Sequence, residues 1–184
     1  KGVQPLLDAV VDYLPSPADV APVEGLDPKT GALMLRNHDD DEPFAALAFK
    51  IQMDPQGVGK LTFFRVYSGH LKTGTNVLNA SNGRKERIGR ILEMHANSRN
   101  DIDEVFAGEI VGVIGLNDVN TGHTVCDPDH QIALESIKFP EPVIQSAVER
   151  KSRAEQEKLG NSLHRLAQAE PEFRGLTDQE GGHT

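Results

Sequence analysis

The chain has 184 residues, 38% of them hydrophobic and 26% charged, with a formal charge of −9. That balance is ordinary for a globular protein, and the length is enough for one large domain or two small ones. A single cysteine, Cys126, excludes an internal disulfide and fits a reducing cytoplasm. No apolar run approaches the ~20 residues of a membrane-spanning helix, and the opening KGVQPLLDAV lacks the continuous apolar run and cleavage site of a signal peptide. The absence of an initial methionine suggests a fragment or a trimmed product.

The first fourteen residues predict an amphipathic helix, because Val3, Leu6, Leu7, Val10, Val11 and Leu14 recur at helical spacing. Pro15 and Pro17 end it. A lone helix of this length is marginal in water, so its apolar stripe calls for a partner. The stretch Pro15–Pro28 is rich in proline, aspartate and glycine and reads as a linker.

From about Thr30 to Lys138 short strands alternate with turn signals. The strand candidates are Ala45–Met53, Leu61–Tyr67, Asn76–Asn79, Arg87–Met94, Glu109–Ile114, Thr124–Cys126 and Ile132–Lys138. Turns are expected at Asp54–Gly57, Ser68–Gly69, Asn82–Gly83 and Thr121–Gly122, of which the Asn-Gly pair is the best hairpin signal. Repeated strands without intervening helices imply a mostly β sandwich or barrel.

Pro140 and Pro142 mark a boundary. Beyond it come a strand candidate at Val143–Val148, a capping box of Ser152 and Glu155, a helix face of Leu159, Leu163 and Leu166 closed before Pro171, and a further strand candidate at Phe173–Thr177. This β-α-β order reads as part of an α+β domain.

Little in the chain carries catalytic chemistry. The Gly57–Lys60 segment GVGK resembles a phosphate loop but fails its spacing, with Asp54 where a glycine is needed and Leu61 where a serine or threonine is needed. A guanine-reading NKxD string is absent, and no serine–histidine–acid grouping stands out. His123, Cys126, Asp127 and His130 are all metal-capable types within eight residues, but their spacing matches no standard zinc signature. A metal-binding enzyme built on them is the rival reading from another functional class.

Charge distribution is more informative. Residues 1–44 hold nine acids and three bases, whereas Arg84, Lys85, Arg87, Arg90 and Arg99 face only Glu86 and Glu93 between residues 84 and 99. Net charge therefore hides a local basic patch. In a continuous strand Arg84, Glu86, Ile88 and Arg90 share one face, and Lys85, Arg87 and Gly89 the other. With aromatic content of 5% and no tryptophan, base stacking has few platforms. Contact with the backbone and shape of structured RNA suits these five residues better.

The strings AALAFKI, GKLTFFRVYSG, RIGRILEMHAN, AGEIVGVIGL and ESIKFPEPV occur in that order and resemble translation elongation factor G. The resemblance covers nearly the whole chain. It implies that residues 1–28 are the terminal helix of a missing GTPase domain plus a linker. Residues 29–138 would be a closed β-barrel of the translational-GTPase second-domain type, and residues 139–184 a partial α+β, ferredoxin-like third domain. It implies ribosome docking through small-subunit RNA and proteins, and coupling of nucleotide state to movement during translocation. No catalytic residue carries over: GTP and Mg belong to the parent protein, and this chain is expected to bind neither and not to be an enzyme by itself. A cytoplasmic location and no membrane partner are implied. The same barrel occurs in ribosomal-protection tetracycline-resistance proteins and in the GTPase release factor; the HAN and FFRVYSG strings favour elongation factor G.

Overall fold

The computed structural model describes residues 2–54, 59–96, 98–134, 146, 156–170, 173 and 175. The expected first helix is present as α1 (Val3–Tyr13), starting after Gly2 and ending where Leu14 turns extended ahead of Pro15. None of its residues is buried, so its apolar stripe lies open.

The Pro15–Pro28 linker reading needs correction. Strand β1 (Val23–Leu26) lies inside it and pairs antiparallel with β2 (Leu33–Arg36). The turn between them is local chemistry: Asp27 Oδ1 accepts from the Lys29 and Thr30 amides at 2.7 and 3.3 Å, and Gly31 takes φ +69°. What makes the segment a strand is distant in sequence. Gly25 pairs with Leu134, and a Cβ on Gly25 would lie 2.6 Å from Ile132 Cγ1, so only glycine admits this contact.

The main sheet is built from β3 (Ala45–Asp54), β4 (Gly59–Ser68), β6 (Asn76–Asn79), β7 (Arg84–Arg87), β8 (Arg90–His95), β9 (Ser98–Ile102), β11 (Ile110–Ile114) and β12 (Thr124–Cys126). Its order is β7-β6-β12-β3-β4-β11-β8-β9, with antiparallel pairing between neighbours throughout. The two short strands β5 (Leu71–Lys72) and β10 (Glu104–Val105) pair with each other. Strand β13 (Ala133–Leu134) flanks β1 opposite β2.

The chain is thus mostly β, as its turn-rich pattern predicts. The expected closed barrel is not what the pairing makes, because among the described residues the eight-stranded ladder ends at β7 and β9. Beyond β7 the backbone turns inward: the Ile88 amide donates to Thr75 O at 2.9 Å and the Gly89 amide to Ile114 O at 3.1 Å. The ladder still curls around one core. Phe64, Val66, Val77, Ile91, Val113 and Val125 meet there from strands across the sheet.

A second, smaller core lies on the other face, where Ala45, Leu47, Leu78 and Cys126 meet Ile132 and Leu134 with Val23 and Met34 against them. This explains the run AALA in β3. Ala46 and Ala48 face the first core while Ala45 and Leu47 face the second, so both pleat faces are apolar.

The expected strand Arg87–Met94 is two strands. Gly89 forms the corner, where a Cβ would lie 2.5 Å from Ile114 O. The shared face expected for Arg84, Ile88 and Arg90 therefore does not exist: Ile88 is buried in the first core while both arginines are exposed. The Asn82–Gly83 turn is as expected, with Gly83 at φ +73° and its amide on Asn79 O at 2.8 Å.

Helix α2 (Gln156–Ala169) lies against β3, and Thr121 Oγ1 donates to Ala169 O at 3.5 Å. Leu159 and Leu163 are half-buried and Leu166 is exposed. The capping box and most of the two late strand candidates fall outside the described residues, as does the expected strand beyond Leu134. Among the described residues no helix is long and apolar enough to cross a membrane.

Candidate nucleic-acid interface

The basic residues sit on two hairpins. The β6–β7 hairpin, with Asn79 opposite Arg84, makes β7 an edge strand carrying Arg84, Lys85 and Arg87. The β8–β9 hairpin, with Met94 opposite Arg99, carries Arg90 and Arg99 at the other end of the ladder. The Ile88–Gly89 corner divides the five bases into two groups.

Much of their charge is already answered within the protein. Arg84 Nη1 lies 2.8 Å from Asp118 Oδ2, and Arg90 makes a fork to Asp101 at 2.8 and 2.7 Å. The hydrogen bond from Arg90, ahead of its charge, holds the Asp101 carboxyl below the usual range. Arg87 Nε donates to Gly74 O at 3.0 Å. The Lys85 side chain is exposed and makes neither a hydrogen bond nor an ion pair with the described residues. Counting residues 84–99 alone misses Asp101 and Asp118, which lie outside that window and reach it only through the fold.

Behind β7 the loop 116–120 acts as a brace. Lys60, the lysine of the GVGK segment, donates its ammonium to Asn117 O at 3.0 Å and to Val119 O. Burial pushes its pKa down, against the pull of Glu86 and Asp118. Glu86 reaches back from β7 and accepts from the Asn117 amide at 2.6 Å through Oε2, while its Oε1 is buried without a hydrogen-bond donor among the described residues. Asn79 and Asn82 both donate to Asp118 O at 3.1 Å. The hairpin and the loop are therefore one hydrogen-bonded unit.

His123 belongs to this unit and not to a metal centre. Its Nδ1 accepts from the Asn120 amide at 3.2 Å and meets Asn79 Nδ2 at 3.0 Å; because a backbone N–H can only donate, Nδ1 is the acceptor. Cys126 is buried in the second core, and burial raises its thiol pKa. His130 lies 3.6 Å from Asp127 at the surface. Among the described residues no three metal-capable side chains converge, so the structure does not assemble the cluster suggested by sequence proximity.

Only part of the GVGK segment falls within the described residues, since Gly57 and Val58 lie outside them. A phosphate loop needs a free lysine and a cradle of amides, whereas the Lys60 ammonium is committed to two carbonyls.

Comparison with known proteins sets this architecture in a family. Residues 43–128 match the model described as elongation factor G domain 2, and residues 139–184 match that described as elongation factor G domain III. The chain belongs to the elongation factor G family. Its two matched domains are those of a translation factor. A crystal structure of a protein from Thermus thermophilus is similar, with a TM-score of 0.71 and 24% identity over 99% of this chain. The match covers 25% of that protein's chain, so the present elongation factor G segment spans about a quarter of its length. At that identity the likeness carries the fold.

In elongation factor G terms, both hairpins and the bracing loop lie within the domain 2 match.

Proposed function

We propose that this chain is the ribosome-docking and coupling part of an elongation-factor-G-like GTPase that drives translocation. The observation that carries the reading is the in-order match to domains 2 and III on a chain whose edge strand β7 presents Lys85 outward. In this reading residues 1–28 hold the helix leading from a GTPase domain and strand β1, which pairs into the fold that follows; residues 29–138 are the docking domain, and residues 139–184 the coupling domain, of ferredoxin-like type. GTP and Mg act in the GTPase domain of the same protein, and the setting is the cytoplasm.

The docking role falls to Arg84, Lys85 and Arg87, with Arg90 and Arg99 on the second hairpin, and the target is small-subunit ribosomal RNA. Lys85 meets a phosphate at no internal cost, whereas Arg84 and Arg90 must share or leave Asp118 and Asp101. Phosphate contacts release counterions, so affinity falls with salt by a slope of roughly 0.7–0.9 per contact. Changing Arg84, Lys85 and Arg87 to alanine in the full-length protein lowers ribosome affinity and flattens its salt dependence, leaving GTP binding unchanged. Unaltered affinity and slope in that variant make these bases a solvated hairpin end.

A further inference from the structure

The outer face of β4 carries a feature separate from the basic hairpins. Along β4 the buried Phe64, Val66 and Ser68 alternate with half-buried Phe63, Arg65 and Tyr67. The Arg65 guanidinium lies 5.2 Å from the centre of the Tyr67 ring, a cation–π contact that orients it. Above this pair, the segment leading into β1 and the end of β2 close a cavity of about 140 Å³. Val20, Ala21 and Val23 form its apolar side; Arg36, His38 and Arg65 form its polar side.

Two observations point to an anion, and a third shows Arg36 short of a partner. The cavity is lined by two arginines and a histidine without a single carboxylate, in a chain of 28 acids and 19 bases. Among the described residues neither arginine has an acidic partner. Arg36 is 8% exposed; its Nη2 donates to His130 O at 3.1 Å, but its Nε is buried with no acceptor among the described residues. Buried donors normally have partners, and a buried guanidinium without a counter-charge is costly.

The wall is also shaped. Gly108 sits at φ +87°, and a Cβ there would lie 2.7 Å from His38 Cε1 and 3.2 Å from Pro17 Cβ. The loop is thus pressed against the imidazole and the segment before β1.

We propose that this cavity binds a small phosphomonoester, with its phosphate held by Arg36, His38 and Arg65 and its organic body against Val20 and Val23. Two formal cations converge there, which matches a phosphate dianion better than a single-charged carboxylate. The site does not depend on the ribosome reading, since it shares no residue with the β7 rim.

The test is a titration of the 184-residue chain, followed by backbone amide shifts, with inorganic phosphate, phenyl phosphate and benzoate up to about 10 mM. Saturable shifts are expected at Gly108, Tyr67 and His38, with phenyl phosphate tightest and benzoate weakest. Arg65→Gln weakens phenyl phosphate about tenfold or more, as loss of a charge-assisted contact should. Arg36→Met abolishes binding, and Lys29→Gln, at an exposed lysine outside the cavity, changes nothing. Should Arg36→Met fail to fold, Arg65→Gln and His38→Gln carry the same test. Absence of saturation, shifts confined to other residues, benzoate binding as tightly as phenyl phosphate, or an equal loss in Lys29→Gln each overturns the proposal.

Discussion

Mild acid should weaken the brace behind β7 through one side chain. His123 Nδ1 serves as acceptor for the Asn120 amide and faces Asn79 Nδ2. Protonation places an N–H on that atom and turns two attractions into donor–donor conflicts. Burial, and then the charge of Lys60, already hold the His123 pKa below 6.5, with Glu86 opposing more weakly. A depressed histidine pKa means the unfolded chain takes up the proton first. Stability is therefore intact above the ordinary value near 6.5 and declines as pH falls through it toward the lower folded value. The slope for one group is bounded at about 1.4 kcal/mol per pH unit. The ring is half-buried and solvent screens its open side, so the loss between about pH 7 and about pH 5 comes to about 0.5–1 kcal/mol. His123→Asn offers an amide oxygen as acceptor in place of Nδ1 and does not titrate. Urea unfolding of both proteins across that range should show the parent losing stability relative to the variant. Identical pH dependence in the two would refute the reasoning.

Two further outcomes concern packing. Gly89→Ala drives a methyl to 2.5 Å from Ile114 O, a backbone atom, so the β7–β8 corner must move; the expected loss is about 2–4 kcal/mol, and an unchanged melting temperature would contradict it. Phe64→Ala empties the centre of the first core, where the ring is fully buried, and should cost about 3–5 kcal/mol in urea unfolding with the same loss by fluorescence and circular dichroism.

Helix α1, the long strands and the Asn82–Gly83 turn are legible in the sequence because their causes are local, whereas the expected turn at Asp54–Gly57 falls mostly outside the described residues. The spacing of Val3 to Leu14, the two-sided apolar run of β3 and the Asn82–Gly83 pair are each complete within a few residues. What stays hidden is set by contacts far along the chain. Strand β1 exists through Gly25 meeting Leu134, and no local pattern announces that pairing inside a proline-rich stretch. The split at Gly89 looks like an uninterrupted strand because its cause, Ile114 O, lies on β11. The basic residues read as exposed from their charge alone, yet their acid partners Asp101 and Asp118 lie outside any window that reveals the patch. The cavity on β4 escapes a linear reading for the same reason: Arg36, Arg65 and Gly108 come from three separate elements.

The loop 116–120 gives the β6–β7 hairpin a mechanical character. A pull on Lys85 loads strand β7 and, through Glu86 and Arg84, reaches Asn117 and Asp118. From there Lys60 hands the strain to β4, a central strand of the sheet, which runs to the cavity at Arg65 and Tyr67. The hairpin is a handle fixed to the frame, so a grip on its edge is felt by the body of the domain and is not lost in a swinging loop.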